Sequence, residues 1–232
     1  MRYFPISIDT KGKNILILGG GETAYDYAKD LIKSEFKIYI IADDFCEEIL
    51  KLKDENSERI MLKGRRLKED FVFFGYDYCI IATSDMNLND ALEDRAKKSS
   101  IPYLRSDNIG GSAFMISTIA EYDKLSVALS GENLNPVLSK MIVEDLKNVL
   151  LKYDPAKLRL LNELRQTLIL KNAPDIDDVL NSMAKKNFAV IKNYIETLKE
   201  KPVDIVKDSV DRKKEDKNDT EDDQNTKEVK KV

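Results

Sequence analysis

Short unbroken apolar runs alternate with amphipathic stretches through the first hundred residues. Ile15 to Leu18, Lys37 to Ile41, Ile60 to Leu62, Tyr78 to Ala82 and Pro102 to Leu104 predict five strands. Runs this short and this apolar suit parallel strands buried on both faces. Between them a 3.6-residue period predicts helices, the first over Thr23 to Ser34 with Ala24, Tyr27, Ala28, Leu31 and Ile32 on one face. A second covers Glu47 to about Leu52, a helical turn or short helix falls at Leu67 to Phe71, and a further helix spans Leu88 to Ser99, capped by Asn87 or Asp85. Tyr3 to Ile8 and the turn Lys11-Gly12-Lys13 form an extended lead into the first strand. Strand–helix alternation of this kind predicts an α/β fold with a doubly wound parallel sheet.

The pattern changes after Asp107. Ile109 to Ser112 reads as a loop, and Phe114 to Ile119 and Lys124 to Leu129 as extended stretches around a turn at Tyr122-Asp123. A polar loop from Ser130 to Asn135 leads to Pro136, which opens a helix running to about Lys152. Pro155 interrupts, and helices follow over Ala156 to Lys171 and Ile176 to Lys199. The expected organisation is a sheet domain (1–112), a small α+β dimerisation segment (113–152), a helical C-terminal module (153–200) and a tail (201–232). That tail is almost wholly charged with mixed signs, so it buries too little apolar surface to offset its ordering entropy and reads as disordered.

Composition removes several function classes. Across 232 residues, 38 Lys and Arg nearly cancel 42 Asp and Glu, leaving a net charge of -4, so no global basic field favours nucleic acid. No apolar run approaches the ~20 residues that cross a bilayer, and no signal-peptide core opens the chain. Cys46 and Cys79 sit in unrelated contexts, which points to a reducing cytoplasm. Histidine is absent. A Ser-His-Asp triad and a His-bearing zinc site are therefore excluded, and proton transfer falls to carboxylates, Lys, Tyr, Cys or water.

The candidate chemistry lies at the strand ends. Gly19, Gly21 and Ala24 follow the first strand with the G-x-G-x-x-G/A spacing of a dinucleotide-binding turn. Small residues there allow a tight turn, close approach of a pyrophosphate and close helix–strand packing, with the helix N-terminus facing the phosphate charge. Gly19, Gly20, Gly21, Glu22 and Thr23 are expected to line the pyrophosphate. Asp43 ends the second strand about twenty residues later, where ribose hydroxyls would sit. With Asp44 beside it, it favours NAD over NADP. Thr83 and Asp107 end the fourth and fifth strands, so four candidates share one rim.

These landmarks resemble the precorrin-2 dehydrogenase family, the NAD-binding module of siroheme synthases, over roughly residues 3 to 150. Tyr3-Phe4-Pro5-Ile6, Leu18 to Ala24, the run Ile81-Ala82-Thr83-Ser84-Asp85-Met86-Asn87-Leu88-Asn89, Ser106-Asp107, Phe114 and Asn135-Pro136-Val137-Leu138-Ser139 carry the resemblance. It implies a Rossmann-like domain in a homodimer. Its activity would be NAD-dependent oxidation of the tetrapyrrole precorrin-2 to sirohydrochlorin and, in several members, insertion of ferrous iron as a second substrate. The family's key aspartate aligns with Asp107, and Thr83 falls on the nicotinamide side. Arg105, Ser130 and Lys140 are candidates to meet the tetrapyrrole and its carboxylates; no resident metal is expected. The chain departs from the family at Glu132, where a loop glycine is usual, and at Ser117, where a proline is usual. Both changes fall on the tetrapyrrole side. The competing reading is a non-catalytic NAD(H)-sensing module like those that regulate ion channels, which needs the glycine turn but not Asp107.

Overall fold

A computed structural model describes residues 2–131 and 135–200. The expected charged tail and Glu132, Asn133 and Leu134 of the polar loop lie outside the described residues. Strands β1 (Asn14–Leu18), β2 (Lys37–Ala42), β3 (Ile60–Gly64), β4 (Tyr78–Ile81) and β5 (Tyr103–Arg105) form one sheet in the order β3-β2-β1-β4-β5. Every pairing is parallel. Parallel neighbours need crossovers, and α1 (Glu22–Leu31), α2 (Glu47–Glu55) and α3 (Met86–Lys98) supply three of the four. The strand order reverses beside β1, and the cleft above the carboxyl ends of β1 and β4 is the switch point where such sheets bind ligands.

The apolar runs divide their side chains between two layers. Ile15 and Ile17 of β1 join Ile38, Ile40 and Ile80 under Ala24, Ala28 and Leu31 of α1. Leu16 and Leu18 point the other way and join Cys79 and Ile81 against Leu92 and Ala96 of α3. Burying each such Leu or Ile contributes about 1.5–3 kcal/mol. Helix α1 stops at Leu31, short of the expected Ser34. The Arg59 guanidinium takes up the carbonyls beyond, donating to Ile32 O at 2.9 Å and also to Ser34 O and Phe36 O. Asp85, not Asn87, caps α3, accepting from the backbone N–H of Asn87 at 3.0 Å and of Leu88 at 3.1 Å.

The fourth crossover, from β3 to β4, holds no helix. Where a helical turn or short helix was expected over Leu67 to Phe71 there is a single turn, closed by Phe71 N donating to Lys68 O at 3.1 Å. The side chains explain it. Phe71 and Phe73 are buried, while Val72 is 71% and Phe74 88% exposed. That is the two-residue period of extended chain, not a helical one. The two buried rings meet edge to face at 5.0 Å.

Beyond Asp107 a 3-10 turn spans Ile109–Gly111. Strands β6 (Thr118–Tyr122) and β7 (Leu125–Leu129) then form a two-stranded sheet. The reversal is at Asp123-Lys124, one residue later than expected, with Asp123 at φ 53°. Among the described residues four helices follow, α4 (Pro136–Leu150), α5 (Pro155–Leu170), α6 (Ile176–Ala184) and α7 (Phe188–Glu200). Pro155 opens α5 rather than merely interrupting, with Asp154 as its cap. The single helix expected over Ile176 to Lys199 is two. Asn187 between them accepts from Val190 N at 3.0 Å and restarts the helix. Helices α5, α6 and α7 bury Leu160, Leu164, Leu168, Val179, Ile191 and Ile195 in a core of their own. The chain divides into two compact units. One holds Met1–Thr118 and Ala128–Ser139, and the other holds Ile119–Val127 and the chain from Lys140 onward.

Candidate active site

The turn after β1 is held from both sides by backbone. Gly19 N donates to Ile41 O at 3.0 Å, and Cys46 N donates to Gly20 O at 2.8 Å. Gly19 has φ +127°, and a Cβ there would lie 2.3 Å from Ala82 O. At Gly20 a Cβ would lie 2.0 Å from Asp44 O, a contact that only a backbone shift could relieve. Gly21 is different, since a Cβ there meets nothing within 4 Å. The first two glycines therefore let three strand ends converge, and the third faces open space.

Gly21 is also the N-cap of α1, and no side chain caps it. The first-turn N–H groups are thus left for an outside acceptor, with the helix dipole favouring an anion. A cavity of about 630 Å³ opens there, within the range of small-molecule sites. It gathers Gly19, Gly20, Gly21, Glu22, Thr23, Asp43 and Thr83, all seven of the expected cofactor-side residues. Asp44, Arg66 and Leu67 join them. Arg66 was not singled out in the sequence. Its position two residues past the end of β3, on the same rim, is the signal that could have found it. The site fits a dinucleotide: uncapped N–H groups and space for phosphates, with the carboxylates Asp43 and Asp44 lining the same cavity.

Asp107, two residues past β5, is gripped by side chains. Arg105 Nε donates to its Oδ1 at 3.0 Å and Arg105 Nη2 to its Oδ2 at 2.7 Å, a two-bond fork. Asn89 Nδ2 donates to Oδ2 at 3.1 Å. The Arg105 guanidinium, helped by Asn89 and opposed by partial burial, holds this carboxyl below its ordinary range. Behind the fork, Arg105 Nη1 donates to Glu93 at 2.7 Å and to Asp90. Glu93 also takes Lys97 at 2.7 Å and the Tyr103 hydroxyl at 2.9 Å. Burial pushes the Glu93 carboxyl up, but the hydrogen bonds from Lys97, Arg105 and Tyr103 outweigh it and take it down to about 2.

This network corrects one expectation. Arg105 does not reach out to a substrate carboxylate, because it is 4% exposed and its donors are taken up by Asp107, Glu93 and Asp90. Its task is internal. Ser130 bonds the hydroxyl of Ser117, and Lys140 is exposed on α4 in the other unit. Asn89, Glu93 and Tyr103 were missed as functional candidates. Only Asn89 carried a signal, as the last residue of the run that begins at Ile81. Among the described residues, no group of three or more His, Cys, Asp or Glu side chains is placed to hold a metal ion.

Residues 6–118 match the profile of a family described as "Putative NAD(P)-binding". The relatives are more particular. The chain is 27% identical over 188 residues to a siroheme synthase of Pseudoalteromonas atlantica, covering 81% of this chain and 38% of that protein. It is 30% identical over 150 residues to one of Vesicomyosocius okutanii, covering 65% and 32%. The chain thus spans well under half the length of these relatives. Among solved structures, SirC, a precorrin-2 dehydrogenase, superposes with a TM-score of 0.61 at 19% identity, covering 85% of this chain and 100% of that one. That likeness shows the shared fold. The family resemblance read from the sequence is borne out.

Proposed function

We propose that the chain oxidises precorrin-2 to sirohydrochlorin with NAD as hydride acceptor. The observation that carries this reading is the rim itself. An uncapped glycine turn for the cofactor stands beside a strand end bearing an ionised carboxylate, and one buried asparagine touches both sides. The siroheme synthases and SirC supply the substrate class.

Gly19, Gly20, Gly21, Glu22 and Thr23 would hold the pyrophosphate through backbone N–H groups, with Arg66 as a cation near it. Asp43 would accept from the ribose hydroxyls, and Asp44 beside it disfavours a 2′-phosphate, so NAD is preferred to NADP. Thr83 would face the nicotinamide. NAD, when bound, supplies the hydride acceptor. Asp107 is the base. Kept ionised near neutral pH, its carboxylate can take the proton that substrate loses as hydride departs. Ser130 would meet the tetrapyrrole. The same carboxylate suits removal of pyrrole protons if ferrous iron is a second substrate.

The protein would work in the cytoplasm, where its two free cysteines stay reduced, and as a homodimer. Helix α4 supports that assembly, since it exposes Leu138 and Met141. Among the described residues no helix is long and apolar enough to cross a membrane.

An absorbance assay with enzymatically made precorrin-2 and NAD, with and without ferrous iron, tests the reading. A sirohydrochlorin spectrum without iron is expected. NAD binding with no sirohydrochlorin would refute the dehydrogenase and favour a sensing module. A siroheme spectrum above the uncatalysed background would add the iron step, and its absence would remove it.

A further inference from the structure

Asn89 lies one turn into α3 and is fully buried, although Asn87 and Asp90 on the same turn are exposed. A buried amide is costly inside a helix unless its hydrogen bonds are made. Here they are. Nδ2 donates to Thr83 O at 3.1 Å and to Asp107 Oδ2 at 3.1 Å, and Oδ1 lies 2.5 Å from Thr83 Oγ1. The amide can sit only this way round. Rotated by half a turn, its oxygen would face a carbonyl and a carboxylate oxygen, replacing two hydrogen bonds by two repulsions. Oδ1 must therefore accept, so the Thr83 hydroxyl donates to it. That hydroxyl in turn accepts from Asp85 N at 3.2 Å. Asp85 already caps α3, so Asn89 is not needed to start the helix.

We propose that Asn89 is a positioning residue that holds the Asp107 carboxylate in register with the cofactor-side hydroxyl of Thr83. The inference rests on the functional reading for the roles of those two residues, but the coupling itself is a property of the folded chain. It predicts that a change at Thr83 is felt at Asp107 through one amide.

The test is a carbon-13 carboxyl titration of Asp107 in the full-length chain, assigned by loss of its signal in Asp107→Asn. Asn89→Ala removes a donor to the charged form and should move the titration up by roughly half a pH unit or more. Thr83→Val should also move it up, by less, and should add nothing when Asn89 is already alanine. In turnover, Asn89→Ala should lower kcat roughly tenfold or more while NAD affinity stays within a few-fold. An unmoved titration in folded Asn89→Ala would overturn the proposal, as would a Thr83→Val effect that persists without Asn89. If Asn89→Ala does not fold, Thr83→Val decides by itself, and an unmoved Asp107 again overturns it. The titration needs no substrate. A wild-type chain that never oxidises precorrin-2 would defeat the functional reading and leave this measurement to stand or fall separately.

Discussion

The glycine turn after β1 presents backbone N–H groups and empty space, whereas the end of β5 presents a carboxylate fixed by side chains from α3 and its own strand. One side of the rim is made by removing side chains, and the other by packing charged ones together. Their tolerances should differ accordingly. The backbone side fails when atoms are added, and the side-chain side fails when a charge is left without its partner.

The largest expected effect is at Arg105. Arg105→Ala leaves Glu93 and Asp107 without the cation between them, and removing one partner of a buried ion pair costs about 3–5 kcal/mol. Urea unfolding measures this. Adding Glu93→Gln to Arg105→Ala should recover part of the loss, because one of the two part-buried carboxylates that lost Arg105 is then gone and only Asp107 of that pair remains charged. A loss under about 1 kcal/mol, typical of exposed pairs, would show that the fork is not the buried element described.

Much of the backbone side could be read from the sequence, and little of the side-chain side could. The spacing of Gly19, Gly21 and Ala24 after an apolar run marks the turn because backbone geometry follows local residue type. Asp43, Thr83 and Asp107 follow as the next positions past strand ends. The role of Gly20 was not separable from its neighbours, since the group it must clear, Asp44 O, lies in the loop two residues past β2. Arg105 was misread for the same kind of reason. A lone arginine two residues before a strand-end aspartate looks like a substrate contact until Glu93, twelve residues earlier on α3, is brought under it. Of the helical turn or short helix expected at Leu67 to Phe71, packing selects the single turn, with Phe71 and Phe73 both drawn into one core.

The glycines offer the next largest contrast. Gly20→Ala forces the Asp44 carbonyl to move and should cost about 1–3 kcal/mol, as overpacking does. Gly21→Ala meets open space and should leave the melting temperature of the free protein nearly unchanged. It should still weaken NAD binding, because its methyl group would occupy the cleft where the pyrophosphate approaches. Equal thermal loss in the two variants would contradict the assigned division between packing glycine and ligand-facing glycine.

Acid should act on the side-chain side. Glu93 titrates near 2 and Asp107 below its ordinary range in the folded chain. Both pKa values are depressed, so their contribution is full above the unfolded values of about 4 and is lost as pH falls through the folded ones. Thermal stability should therefore decline from about pH 4.5 toward pH 2, and Glu93→Gln should flatten that decline. An identical slope in the variant would remove Glu93 from the account.

The central claim is that cofactor binding and proton removal are built on separate sides of one rim. Asp107→Ala measures it most directly, by NAD affinity and by precorrin-2 turnover on the same preparation. The account predicts NAD affinity within a few-fold of wild type and turnover lost by a factor of roughly a hundred or more. Turnover at the wild-type rate would contradict it.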